Sequence, residues 1–306
     1  MSINTFSEPG ADHRSALRAN CADCFALCCT AFGFQTSADF PIDKPAGTPC
    51  VNLADDFSCS IHESLPARGF RGCTVFDCFG AGQHVSQNLF SGKSWRERPD
   101  TSADMFSTFA VARQLHEMLW YLVEASERTT SSELAAPVAG LRTEILEILD
   151  GDASEILASN AESLRTRVRR ALIDVSEEAR GGYDRSADSD TDVHPSADLA
   201  GRDLTARRLC GADLRGAYLI ATDLRNCDLA GVDLLGADLR DARLDGADLS
   251  KALFLTQAQV NAAHGDLHTT LPPALHRPGH WLNATLPLKL RANGGTRPSA
   301  ARHRRN

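Results

Sequence analysis

The apolar pattern of the last third of the chain has a period that neither a helix nor a strand possesses. From Leu199 to Leu249 a leucine stands at every fifth position, and Phe254 continues the series as its twelfth member. Two residues before each of these the side chain is usually small, as at Ala197, Ala212, Ala217, Thr222, Cys227, Val232, Ala237, Ala242, Ala247 and Ala252. A polar residue, most often Asp, sits between the two. Helices repeat at 3.6 residues and strands at 2, so neither keeps one residue in five on a single face for so long. A closed four-sided coil does. Each five-residue unit forms one side, with the leucine and the small residue pointing inward. Such a coil takes four units per turn, so the series makes three turns, a stack about 14 Å tall at about 4.8 Å per layer. Arg202 and Arg207 stand where small inward residues belong, which predicts an irregular first turn.

Ahead of the stack the pattern reads as helix. Met105, Phe109, Leu115, Leu119 and Leu122 share one helical face, and Leu141, Ile145, Ile148 and Leu149 mark a second helix that stops at Gly151. Leu164, Val168 and Leu172 mark a third, with Ser159 and Glu162 as its expected capping box. Arg165, Arg167, Arg169 and Arg170 flank that stripe and are expected on a solvated face. Residues 181–195 have almost nothing to bury and read as a flexible acidic linker. The segment from Phe254 to Trp281 is expected to cap the stack with a short helix, a turn at Gly265 and an extended stretch. Residues 284–306 are Arg-rich and read as a disordered basic tail. The expected organisation is a Cys-rich unit over 1–100, a helical unit over 101–180, the linker, a coil with its cap over 196–283, and the tail.

Composition narrows the class. The 306 residues are 42% hydrophobic and 24% charged, as in a soluble globular protein, and the net charge of −8 argues against nucleic acid as a general partner. No run of 18 apolar residues is present, so no membrane span is expected. The N-terminus lacks a basic start followed by an apolar run, so a cytoplasmic chain with reduced thiols is expected.

Those thiols carry the candidate chemistry. Eight of ten cysteines fall between residues 21 and 78, as C-x2-C-x3-C-C (Cys21, Cys24, Cys28, Cys29) followed by Cys50, Cys59, Cys73 and Cys78. Thiolates at short spacings converge on one soft or borderline metal ion, whereas disulfide frameworks belong to secreted chains. On a helix Cys21, Cys24 and Cys28 would share a face, with Cys29 about a third of a turn away. Eight sulfurs satisfy two tetrahedral zinc sites, or hold one four-iron cluster with thiols to spare. His62 is a possible substitute ligand and His84 a weaker one, and Asp39 and Asp77 could accept hydrogen bonds behind the ligands. Cys210 and Cys227 are assigned to packing. The surrounding phenylalanines, frequent glycines and prolines predict short helices and loops around a metal core.

Two resemblances sharpen this reading. GADLRGAYL and GADLRDARLDGADLS match the A-(D/N)-L-x-x pattern of the pentapeptide-repeat family. That resemblance implies a right-handed quadrilateral β-helix over 196–255. The cysteine order, with PCVNLADDFSCSIHE and GCTVFDC, resembles the YkgJ-type cysteine-cluster family, whose members are described as zinc- or iron-chelating. The fold expected is therefore multidomain: an irregular Cys-rich metal-binding domain, a helical segment, then a short right-handed quadrilateral β-helix.

Three functions follow from these features. The first is a zinc or iron–sulfur protein whose β-helix surface docks a protein partner. The second is a metal-dependent or iron–sulfur enzyme, although no phosphate loop, HExxH, G-x-S-x-G or Rossmann fingerprint is present. The third is a gyrase-directed mimic of DNA, as some pentapeptide-repeat proteins are. Residues 196–255 carry ten Asp against seven Arg and one Lys, too balanced a set for a phosphate-like rod.

Overall fold

The computed structural model describes residues 14–183, 191–205 and 207–282. The expected basic tail and residues 184–190 of the expected linker lie outside these.

The region before residue 100 is built from short pieces. They are a 3-10 turn at Cys21–Asp23, helix α1 (Leu27–Ala31), helical turns at Arg71–Thr74 and Ala81–Gln83, and a π turn at His84–Leu89. Isolated antiparallel bridges join Phe34 to Lys44 and Leu53 to Cys59. Rings anchor this region to the helices, Phe32 against Phe109 at 5.4 Å and Phe79 against Trp120 at 6.1 Å. The sequence predicts this mixture of short helices and loops.

Four longer elements follow: α2 (Ser102–Arg128), α3 (Ser132–Asp150), α4 (Ala153–Ala158) and α5 (Ala161–Arg180). The predicted stripe of α2 is buried, with Met105, Phe109, Leu115, Leu119 and Leu122 all 1% exposed or less. Helices α3, α4 and α5 pack on it. Each such leucine removed from water contributes about 2 kcal/mol. The short α4 is not legible as a separate element, and it moves the expected cap. Its own capping box is Asp152 with Glu155. Ser159 therefore ends α4, its hydroxyl donating to the Ile156 carbonyl at 2.6 Å, and Asn160 caps α5 by accepting from the Ser163 amide at 3.0 Å. Arg167 forms a paired contact with Glu144 of α3, and Arg170 reaches Asp174 on its own exposed face.

The repeats close every 20 residues. Single-residue parallel bridges join Asp198 to Tyr218, Asp203 to Asp223, Asp213 to Asp233 and Asp228 to Asp248. Twenty residues are four five-residue units, so the coil is four-sided as the period requires. Every leucine of the series is 1% exposed or less, and the small residues named above are all buried. Among the described residues the sides are joined by isolated bridges rather than continuous strands, because each side ends in a corner after a few residues.

The corners explain the rest of the motif. At most of the described corners the residue two places after the leucine takes a left-handed conformation, which suits Gly216, Gly231, Gly236 and Gly246. Ala221, Asn226 and Asp241 hold the same place with φ of 53°, 56° and 57°. The Asp before each leucine accepts from the backbone amide two residues on, as Asp203 does from Thr205 at 3.0 Å and Asp228 from Ala230 at 2.9 Å. These carboxylates satisfy corner amides. Where Arg occupies that later position it folds back on the same Asp, as Arg225 does on Asp223 and Arg240 on Asp238.

The first turn is irregular, as the two arginines predict. Arg202 and Arg207 turn outward to Asp192 at 2.9 and 4.0 Å, and Arg208 makes no bridge to Asp228 among the described residues. At the far end α6 (Gln257–Ala262) bulges out, and His264 and Thr270 then resume the ladder on Arg243 and Asp248. The cap is thus a partial further turn. Trp281 does not end an extended stretch but lies in α7 (Gly279–Leu282), its indole N–H donating to the Ala263 carbonyl at 2.9 Å. Its ring occupies the space where a side chain at Gly265 would stand.

Helices and coil touch directly. Arg180 of α5, 1% exposed, donates to the Gly211 carbonyl at 2.8 Å and pairs with Asp213 at 3.3 Å. Glu124 of α2 accepts from the Phe254 amide at 3.0 Å, and Arg128 donates to the Ala252 carbonyl at 2.9 Å. The described ends of the expected linker are packed too: Tyr183 lies against Gly231 and Val193 is buried. These two side chains are what a composition reading of the acidic stretch overlooks.

Candidate functional site

The eight thiols do not sit on one helix. The chain breaks at Ala26, whose φ of 53° is left-handed, so Cys21 and Cys24 flank the 3-10 turn while Cys28 and Cys29 belong to α1. All ten cysteines are free thiols.

The backbone brings them together as two sets. In the first, the Cys24 amide donates to the Cys21 carbonyl at 3.3 Å, and the Ala81 amide to the Cys78 carbonyl at 2.9 Å. Gly82, in the turn after Cys78, faces the gap between two of these sulfurs. A Cβ there would lie 2.7 Å from Cys24 Sγ and 3.7 Å from Cys78 Sγ. In the second, the Cys50 amide donates to the Cys29 carbonyl at 3.0 Å, and the Leu53 amide to the Cys50 carbonyl at 3.0 Å. The Leu53–Cys59 bridge then closes that loop, and Cys73 enters from the turn at Arg71–Thr74.

The electrostatics link the thiols within these groups and also across them, since Cys21 is raised by burial and by Cys29. Burial pushes the Cys24 thiol up to about 11, with Cys78 and Cys21 adding to the effect. Burial also raises Cys78, with Asp77 and Cys21 adding to it. Burial pushes Cys73 up to about 11 as well, and there the thiols that add to it are Cys29, Cys50 and Cys59. Cys59 is raised by burial and by Cys29 and Cys50. Cys28 and Cys29 meet at the boundary, Sγ to Sγ 3.9 Å. The Cys28 thiol donates to Cys29, which holds Cys29 below its usual range and raises Cys28. The geometry thus places Cys24 beside Cys78, Cys28 beside Cys29, and the Cys50 loop on Cys29.

Among the described residues no three His, Cys, Asp or Glu side chains are drawn tightly enough to grip an ion as they stand. The donors fit a soft or borderline metal nonetheless, since they are sulfurs on short loops with a side-chain-free gap at Gly82.

The other candidates lie apart. His62 is exposed. His84 sits beside His116 with its Nε2 3.2 Å from the Leu149 carbonyl, turned to the helices. Asp39 acts on Arg240 rather than on a thiol. Asp77 is half-buried next to Cys78 and accepts from the Phe79 amide at 2.8 Å. Cys227 packs inward, 4% exposed, as a small repeat residue. Sequence reasoning overlooked Lys44, a buried ammonium beside the second set, and Gly82. A lysine in a stretch otherwise reading as loop was the available signal.

The coil and its motif define the C-terminal part as pentapeptide repeats, and a family model of pentapeptide repeats matches residues 197–234 and 217–254. The whole chain is 51% identical over 269 residues to the uncharacterized protein YybG of Bacillus subtilis (strain 168), covering 87% of this chain and 95% of that protein. The chain belongs to the family of that protein. A match of this length extends well beyond the repeats into the helical and cysteine-bearing region. No helix among the described residues is long and apolar enough to cross a membrane.

Proposed function

We propose that this chain is a metal-binding protein whose eight N-terminal thiols hold two zinc ions. Cys21, Cys24, Cys28 and Cys78 would hold one, and Cys29, Cys50, Cys59 and Cys73 the other. The repeats, read as the right-handed quadrilateral β-helix of the pentapeptide family, serve as a scaffold that presents a surface to a protein partner.

The approach of Cys24 and Cys78 across the Gly82 gap, with closure of the Cys50 loop on Cys29, carries this reading. Four sulfurs match the closed tetrahedral coordination of structural zinc, and the YkgJ-like order of the same cysteines agrees with it. A bound ion would supply cross-links between loops that otherwise have few buried side chains. The residues of the chain do the rest: the Leu53–Cys59 bridge and the Cys50–Cys29 hydrogen bond pre-position the second set, and Gly82 leaves the first set room to close.

A DNA-mimic role draws no support from the repeats. Eight of the ten aspartates of residues 196–255 accept from the amide two residues on, and four of those are also paired with an arginine. They are corner-formers, not a free acidic face.

Metal analysis of the full chain, purified without chelators, tests the proposal. The expected result is a colourless protein with about two zinc per chain. A brown protein with iron and labile sulfide would replace the two zinc sites with a cluster. Absence of metal, with eight titratable thiols, would end the metal-binding reading.

A further inference from the structure

We infer that the cleft where α2 and α5 meet the coil is a binding site for a small organic anion with an apolar body. It rests on other residues than the metal reading above.

The cleft has a volume of about 480 Å³, within the range of about 300–1,000 Å³ in which proteins hold small ligands. Three parts of the chain wall it: α2, α5, and the coil with the Pro195–Ser196 segment that leads into it. Its floor is apolar. Met118 of α2 and Val168 and Leu172 of α5 are buried there, with Ile173 and Leu235 partly open beside them. On the coil side the wall is low, because Gly216 and Gly236 hold the corners that face the cleft. Nothing lies within 4 Å of the place where a side chain at Gly236 would begin.

The rim is cationic. Arg165, Arg169 and Arg215 line the cleft against one carboxylate, that of Glu117. Glu117 is paired with Arg113 at 3.3 Å, and Arg215 is held by Asp213. Arg165 lies 3.8 Å from Glu162 and donates to Gln114 Oε1 at 2.5 Å. Arg167 and Arg170 of the same helix are paired with Glu144 and Asp174. Arg169 differs from all of these. The residues three and four places from it on α5 are Thr166, Leu172, Arg165 and Ile173, none of them acidic. Among the described residues it makes no ion pair and no hydrogen bond, and the Tyr121 and Ser196 hydroxyls of the same cleft donate to no protein acceptor.

Arg165 and Arg169 stand one helical turn apart and repel each other. An anion at the rim relieves that repulsion, and a guanidinium offers a planar pair of donors that matches carboxylate or phosphate oxygens. The head group thus meets charge at the rim while an apolar body covers the floor. A bare inorganic anion would leave the floor wet, and a neutral hydrocarbon would leave Arg169 unanswered.

Fluorescence titration of the full chain with anilinonaphthalene sulfonate, an anion of this class, tests the site. Wild type should bind about one probe per chain, saturably. Decanoate and decyl phosphate should each displace it, the tighter of the two naming the head group. Decanol and inorganic phosphate should do so about tenfold more weakly or not at all. Arg169→Ala should weaken probe binding by about tenfold, and Arg169→Glu should abolish it. Arg170→Ala, which removes an arginine already paired with Asp174, should leave it unchanged. Arg169 is exposed and has no protein partner to lose, so its variants should keep the helical circular dichroism of wild type. Arg169→Gln carries the comparison if one of them does not. Equal affinity in wild type, Arg169→Ala and Arg169→Glu would overturn the proposal, as would failure of both anions to displace the probe. Displacement by decanol as readily as by decanoate would also overturn it, since the cleft would then be an apolar patch only.

Discussion

The Ser176 hydroxyl of α5 donates to the Asp233 carboxylate of the coil at 2.5 Å, and both residues are fully buried. Around this contact Asp213 and Arg215 complete a polar seam between helices and repeats, Arg215 lying 3.5 Å from Asp233. Burial pushes the Asp233 carboxyl up to about 6, and neighbouring Asp213 adds to this while Ser176 and the Leu235 amide oppose it. Folding therefore favours the protonated acid. Stability should fall as pH rises from about 4 to about 6, and remain lowered above that. At about 1.4 kcal/mol per pH unit the effect is on the order of 3 kcal/mol. Asp233→Asn keeps an acceptor for the Leu235 amide and is expected to unfold at higher urea than wild type at pH 7.5, with the advantage gone at pH 4. Urea titrations at the two pH values check this. A variant that is equally or less stable at pH 7.5 would show that the ionised carboxylate is needed for the seam.

Ala221 holds a corner that six glycines of the repeats also hold, with φ of 53°. A left-handed residue with a Cβ costs about 1–2 kcal/mol relative to one without. Ala221→Gly should therefore raise stability by about 1 kcal/mol, some of the gain being lost to the greater freedom of the unfolded chain. Thermal unfolding followed by circular dichroism measures it. Gly216→Ala, the reverse change at an equivalent corner, should lower stability by a similar amount.

Leu224 stands in the middle of the inward column, 1% exposed. Leu224→Ala should cost about 2–5 kcal/mol through lost burial and the cavity left behind. Because the buried residues form one cluster from Leu17 to Trp281, the loss should lower the midpoint seen at 222 nm, a signal dominated by α2, α3 and α5. Two separated transitions, with the helical one unmoved, would show that helices and coil unfold independently.

Gly82→Ala places a methyl group 2.7 Å from Cys24 Sγ. The sulfur must move, and overpacking of this kind costs about 1–3 kcal/mol. On the two-ion reading the variant should lose zinc from the first set and keep it in the second. Metal analysis would then give about half the wild-type content, whereas full content would show that this gap is not part of a site.

The coil was legible because its signal is one-dimensional. A leucine every fifth residue can be counted without knowing what it touches, and a four-sided turn is the geometry that keeps such residues on one line. The stripes of α2 and α5 were legible for the same reason, with period 3.6. Short elements were not: α4 spans six residues, too few for a period, and its cap competes with Ser159 and Glu162 for the same reading. Gly82 was equally opaque, since its value lies in what two distant cysteines leave empty beside it.

The cysteines mark the boundary between these two kinds of knowledge. Their number, order and sulfur chemistry are properties of the chain, and from them alone a soft-metal site is the natural expectation. Which thiols come near one another is decided by the left-handed break at Ala26, the Leu53–Cys59 bridge and the docking of the Cys78 turn beside Cys24. Spacing groups Cys21, Cys24, Cys28 and Cys29, whereas the fold breaks that run at Ala26 and closes the Cys50 loop on Cys29. Spacing governs neighbours along a helix, whereas these neighbours come from loop closures that no local pattern encodes. Burial of Lys44 among backbone carbonyls is the same kind of fact. A lysine's ordinary preference is for solvent, and only the packed loop around Phe34, Thr30 and Thr48 overrides it.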